Sequence, residues 1–228
     1  MISYDAFNLN MRASLDFPLE EGTGLVVNCR SKFVHNGALS GPPTFAQLAN
    51  GYPYLSMDAT NPDFIEVPGA DTTELDYTAG DFGMAAWVLF HSLALGPMIF
   101  CRGLLDTDGY YFRIEADGTI ALVTNQAGGN QVSESAAGAI VLETWYQIAA
   151  TRSGADVLVY RNGVDVTTVS GTHVDPLTSA RKLIIGAYDD EASNGYHGHL
   201  ARPRMCSNQP SAADISRLFE TEQGWFGA

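Results

Sequence analysis

The 228-residue chain is 46% hydrophobic and carries 26 acidic against 12 basic side chains, a formal charge of −14 at neutral pH. A field of that sign repels phosphate backbones, which excludes nucleic acid as a partner, and no apolar run nears the ~20 residues of a helical bilayer span, which excludes membrane insertion of that kind. Cys29, Cys101 and Cys206 are odd in number and widely spaced with no Cys-x-x-Cys pair, so they read as buried thiols rather than a disulfide framework.

In chain order, residues 1–14 read as an N-terminal arm. Within it Tyr4, Phe7, Leu9 and Met11 alternate with more polar neighbours, the pattern of an edge segment that gains stability by joining another sheet or a partner subunit. The opening Met1-Ile2-Ser3-Tyr4-Asp5 lacks the basic start and apolar centre of a secretion signal, which predicts synthesis in the cytoplasm. Residues 15–228 read as one domain, because turn signals recur at short, even spacing and no linker divides them.

Strand patterns fall at 15–19, 54–57, 64–67, 83–90, 97–101, 110–115, 119–124 and 131–135, then at 146–152, 157–161, 164–170, 181–185 and 197–205. Asp117-Gly118 and Asn162-Gly163 supply the positive φ values that tight hairpins need. Near the end, Ser211-Ala212-Ala213-Asp214 has the form of a capping box, Ile215, Leu218 and Phe219 share a helical face, and Gly224 is the predicted stop. About a dozen short antiparallel strands with one terminal helical turn bury their apolar faces as two packed, curved sheets. The predicted fold is an all-β jelly-roll β-sandwich of two antiparallel sheets with a short C-terminal helix.

Several segments resemble the laminin-G-like domains of the concanavalin A-like lectin/glucanase superfamily. They are Leu15 to Gly24 as an opening strand with an acidic-Gly turn, Phe64-Ile65-Glu66-Val67-Pro68 as a second strand, and Asp81-Phe82-Gly83-Met84-Ala85-Ala86-Trp87 as a third. Gly109 to Ile114 followed by Asp117-Gly118 resembles the next hairpin, and Trp145 to Gly163 the most diagnostic segment. Gly198 to Met205 and Ser211 to Leu218 are similar to the closing strand and helical turn. The resemblance implies the sandwich fold. It also implies a structural calcium in many relatives, held by an aspartate after the first strand and another in the closing strand, but the matching positions here are Asn28 and Ala201.

Superfamily membership does not decide function, so the side chains must. A retaining glycosidase needs two carboxylates ~5 Å apart, at alternate positions of one strand. The chain has no Glu-x-Asp-x-Glu run, and its nearest pairs, Glu74/Asp76 and Asp106/Asp108, lie in turn-like sequence. No Gly-x-Ser-x-Gly elbow nominates a nucleophile. Asp189, Asp190, Glu191 and Asn194 form the densest oxygen cluster, a candidate contribution to a calcium site, with solvated loop acidity as the alternative. His197 and His199 alternate along a strand at a spacing compatible with zinc, yet no neighbour in sequence completes a tetrahedron.

Tyr52, Tyr54, Tyr188 and Tyr196 lie in turn-rich sequence and are the candidates for stacking on sugar rings, whereas Trp87 and Trp145 are expected in the core. No enzymatic activity and no cofactor are expected. The leading expectation is a structural or surface-binding module of a larger assembly: a phage virion component, as capsid decoration or tail-associated protein, that also binds glycans or a host surface. Its partners would then be other protein subunits, in a homo-oligomer or a capsid or tail, and its location the virion surface, with the extracellular surface as the alternative. A carbohydrate-binding lectin-like module is the first alternative, and a cryptic glycan hydrolase or lyase the second.

Overall fold

The computed structural model describes residues 13–33, 35–60 and 63–228. Tyr4, Phe7, Leu9 and Met11 lie outside the described residues. The strands are β1 (Ala13–Asp16), β2 (Val26–Val27), β3 (Gly37–Ser40), β4 (Thr44–Gln47), β5 (Pro53–Met57), β6 (Phe64–Val67), β7 (Phe82–Ser92), β8 (Met98–Leu104) and β9 (Asp108–Ile114). There follow β10 (Ile120–Gln126), β11 (Gly129–Ser135), β12 (Tyr146–Ser153), β13 (Asp156–Arg161), β14 (Val164–Asp165), β15 (Thr167–Ser170), β16 (Leu183–Ile185) and β17 (His197–Cys206). A single α-helix among the described residues, α1 (Ala212–Phe226), comes last.

Two antiparallel sheets result. One runs β14-β13-β12-β7-β17-β5-β4 with β1 also on β17, and the other runs β15-β11-β10-β9-β8-β16-β6-β3-β2. β7 keeps one edge of β17 throughout, while β5 pairs with residues 198–200 on the other edge and β1 with residues 204–206. A bulge between Ala201 and Arg204, with Arg202 at φ 51°, separates the two partners. Between the sheets lie Phe82, Met84, Val88 and Phe90 of β7, Phe112 and Ile114 of β9, and Leu122 of β10, all buried.

The predicted hairpins are present. Asn162 and Gly163 take φ 50° and 78°, the left-handed pair a two-residue turn demands. Four features differ from the sequence reading. β2, β3 and β4 were not foreseen, because runs of two to four residues give no measurable alternation. The 164–170 segment is two strands, not one: Val166 turns into the core, and β14 and β15 join opposite sheets. β1 takes in Ala13 and the buried Ser14, the last residues of the expected arm.

The fourth difference is the helix, which runs for 15 residues rather than one turn. Ser211 and Asp214 form the foreseen capping box, but Gly224 is helical and Gly227, at φ 67°, is the stop. α1 lies across the outer face of the first sheet. Ile215 and Leu218 sit on Ala85, Ala149 and Tyr160, and Phe219 and Phe226 stack on Trp87 at 5.9 and 4.1 Å between ring centroids. Asn50 beyond β4 donates its amide to the Trp225 carbonyl at 2.7 Å, tying down the helix end.

Candidate functional site

Core-facing Leu55, Met57, Val88, Phe90 and Leu200 leave their alternate neighbours pointing outward from the first sheet. Where α1 covers that outer face, the residues are Ala85, Trp87, Ala149 and Ala201. Where the helix stops, they are Tyr54, Ser56, Leu89, His91, His197 and His199, all partly exposed. Among the described residues, the part of the sheet that α1 does not cover is therefore an aromatic and imidazole platform, set by where α1 ends.

Its geometry is close-knit. The Tyr54 and His199 rings lie 4.5 Å apart, Tyr54 and Trp145 5.9 Å, and Trp145 and His199 6.2 Å. Trp145 rests on Phe226 at 4.9 Å, so the last helical turn supports the platform from below. His91 meets His199 edge-on at 4.7 Å and His197 at 5.6 Å. Glu143 reaches His91 Nδ1 at 2.8 Å, and its backbone N–H donates to the Phe90 carbonyl, which anchors its loop against β7.

Desolvation pushes the His199 imidazole below its ordinary pKa, and the neighbouring His91 adds to this. Asp58, in the turn after β5, is held below the usual carboxylate range by hydrogen bonds from Thr60, with His197 adding a smaller effect. Chemically, flat rings offer stacking surface, while imidazole nitrogens and two rim carboxylates offer hydrogen-bond partners.

The four candidate tyrosines do not form one site. Tyr54 is at the centre of the platform. Tyr52 borders it, stacked on Trp225 at 4.6 Å. Tyr188 belongs to the outer face of the other sheet, against Tyr111, and its hydroxyl accepts the Leu105 N–H at 2.8 Å. Tyr196 is fully buried, packed on Phe90 with its hydroxyl donating to the His199 carbonyl; its turn-rich context hid that its ring folds inward. Trp145, expected in the core, lies just ahead of β12 and is only half-buried. His91 and Glu143 were not singled out from sequence, though His91 continues the outward alternation of Trp87 and Leu89.

The oxygen cluster at 189–194 is spent on protein partners. Asp189 accepts from Arg181 at 2.6 Å, Asp190 accepts from the Ala192 and Ser193 N–H groups and the Ser193 hydroxyl, and Glu191 pairs with Lys182. Asn194 donates to the Leu95 and Gly96 carbonyls. Asn28, at the expected calcium position, donates its backbone N–H and side-chain amide to Glu21, and Ala201 is buried in β17. Among the described residues no group of three His, Cys, Asp or Glu is arranged to hold a metal, and this includes the three platform histidines. Adding calcium or chelator is expected to move the melting temperature by less than about 1 °C. A rise of several degrees that Asp189→Ala with Asp190→Ala abolishes would show a calcium site instead.

Three of the four acids in those pairs are likewise engaged. Asp76 pairs with the buried Arg102 at 2.8 Å and Asp108 with Arg181 at 2.9 Å, and Asp106 accepts from Asn130 at 2.7 Å, while the exposed Glu74 lies 3.5 Å from the His35 imidazole without a hydrogen bond to it. Burial pushes the Cys101 and Cys206 thiols up to about 12, and both are free, as is the partly buried Cys29. A separate groove of about 130 Å³ beside Leu19, Phe45 and Pro53 is below the usual size of a small-molecule pocket.

Comparison with known proteins places this architecture. Similar solved structures include the binding domain of botulinum neurotoxin DC in complex with rat synaptotagmin II (TM-score 0.67, 11% identity, 93% of this chain and 52% of that one). The binding domain of Paraclostridial Mosquitocidal Protein 1 is similar at TM-score 0.70 and 11% identity, over 92% of this chain and 52% of that one. A third is botulinum neurotoxin type C, whose cell entry is dependent upon interaction with two ganglioside molecules (TM-score 0.65, 11% identity, 94% and 52%). The chain thus spans about half the length of the solved structures it matches, and at such identities the likeness is one of fold. No curated protein is similar enough in sequence to count as a relative. The family model of the Concanavalin A-like lectin/glucanases superfamily matches residues 63–216, from the start of β6 into α1. With its two antiparallel sheets and jelly-roll sandwich, the chain belongs to that superfamily.

Proposed function

We propose that this chain is a non-catalytic carbohydrate-binding module, with its ligand on the outer face of the first sheet beside the end of α1. The observation that carries the reading is the platform of Tyr54, Trp145, His199, His91 and His197, left bare between the helix and the rim residues Glu143 and Asp58. Trp145 and Tyr54 would take the C–H face of a pyranose, and the imidazoles and carboxylates its hydroxyls. A non-catalytic role is favoured because three of the four acids in the pairs nominated by sequence, Asp76, Asp106 and Asp108, are committed to arginine or asparagine partners. That a protein of this fold depends on gangliosides supports a glycan ligand in general; gangliosides are sialylated, and the charge around this platform argues for a different class of glycan. The virion-component expectation draws no support from these likenesses, which are to binding domains of neurotoxin and mosquitocidal proteins.

The test is glycan-array binding followed by titration calorimetry on the best ligand. Trp145→Ala is expected to lose about tenfold or more in affinity, in line with one aromatic contact of about 1.5 kcal/mol. Tyr188→Ala, on the opposite sheet, is expected to bind like wild type. Melting curves for both variants separate lost contact from lost fold. Equal binding by Trp145→Ala, Tyr54→Ala and wild type would place the ligand elsewhere.

A further inference from the structure

We infer that the platform selects uncharged glycans and rejects sialylated, sulfated or uronic-acid ones; this rests on the carbohydrate-binding reading above. The argument starts from the charges around the platform. Glu143, about two-thirds exposed, and the fully exposed Asp58 place two carboxylates on the rim. None of the described arginines and lysines makes a hydrogen bond, ion pair or ring contact with Tyr54, Trp145, His91, His197 or His199.

Three described arginines of the same sheet, on β17 and β13, are turned to other work. Arg204 lies buried beneath α1, paired with Glu222 at 2.7 Å. Arg161 shares the inward side of β13 with Val157 and Val159, donates to the Ala139 carbonyl at 2.7 Å and lies over the Tyr146 ring. Arg202 pairs with the buried Asp16 at 3.8 Å. The rim carboxylates and the overall charge of −14 set the potential a ligand meets.

Hydrogen-bond chemistry points the same way. A carboxylate accepts only, so Glu143 and Asp58 match a donating sugar hydroxyl. A sulfate, or the carboxylate of a sialic or uronic acid, also accepts only, and would face two like charges with no guanidinium or ammonium among the described residues to receive it. At the separations within one sugar ring, that repulsion is worth about a tenfold loss or more in affinity.

The experiment uses the full chain on an array of neutral oligosaccharides ending in galactose, glucose, mannose or N-acetylglucosamine, each beside its sialylated and sulfated counterpart, at about pH 8 and low salt. The expected result is binding to a neutral set that depends on Trp145, with a loss of about tenfold or more on adding the charged group. Glu143→Gln should narrow that gap, and raising the salt should narrow it too. Charged glycans bound as well as their neutral parents, with the same dependence on Trp145, would overturn the selectivity while leaving the binding site standing. Binding to no glycan of either kind would overturn the carbohydrate reading itself and this inference with it.

Discussion

Glu222→Ala is expected to destabilise the fold by about 3–5 kcal/mol, the cost of removing one partner from a buried ion pair. Glu222 is 3% exposed, and its carboxylate accepts from Arg204 Nη2 and from Trp87 Nε1, both at 2.7 Å. Burial works against the Arg204 charge, but Glu222 and then Asp16 hold its pKa above the ordinary value. Removing the carboxylate strips a buried guanidinium and a buried indole N–H of their shared acceptor at once. Glu222→Gln, which keeps an acceptor but not the charge, should fall between wild type and alanine. Arg204→Met combined with Glu222→Leu should cost less than Glu222→Ala alone, since neither charge is then left buried. Glu220→Ala, on the exposed side of the same helix, should stay within about 0.5 kcal/mol of wild type. Urea melts decide this, and a Glu222→Ala midpoint matching that of Glu220→Ala would sink the account. Because Phe226 supports Trp145, a loosened α1 should also weaken glycan binding.

Acid is expected to cost the fold on the order of 2–3 kcal/mol through His173 alone. This side chain is 2% exposed, with Nδ1 2.8 Å from the Thr124 hydroxyl and Nε2 2.9 Å from the Ser133 hydroxyl. Thr124 directs its proton to Gln131, so its oxygen is free to accept from Nδ1–H, while Ser133 takes the Gly171 N–H and donates to Nε2. That network suits a neutral ring. Desolvation, with Arg152 adding to it, lowers the His173 pKa to about 4 from the ordinary 6.5. The unfolded chain therefore takes up a proton near pH 6.5 that the folded chain refuses until near pH 4. The stability is complete above the higher value, drains as the pH falls between the two, and is gone below the lower. His35 and His199, also lowered chiefly by desolvation, act in the same direction. Urea melts of wild type and His173→Asn from neutral to about pH 4.5 isolate the effect, because carboxylate titration is common to both proteins. Parallel profiles for the two would remove His173 from the explanation.

Local sequence determined those parts of the molecule whose physics is local. Asn162-Gly163 accepts left-handed φ wherever it stands, Ser211 and Asp214 cap each other within one turn, and the alternation through β7, β9, β10, β12 and β13 marks half the side chains as inward. Ordered along the chain, these segments were enough to identify the sandwich. Strands of two to four residues such as β2 carry too little pattern to read, and nothing near Gly224 shows that the helix can pass through it to Gly227.

The candidate site was legible only in pieces. Alternation put His197 and His199 on one face, yet it cannot say whether that face is covered, and this depends on how far α1 reaches over the sheet. His91 joins those two histidines only because β7 is the hydrogen-bonded neighbour of β17, although the strands are far apart in sequence. Tyr54 and Tyr196 both sat among turn residues, but packing sends one ring out to the platform and the other into the core. Period-2 sterics are written in consecutive residues, whereas burial of a face, the pairing of distant strands and the meeting of a carboxylate with a histidine exist only once the sheets have closed and the helix has docked.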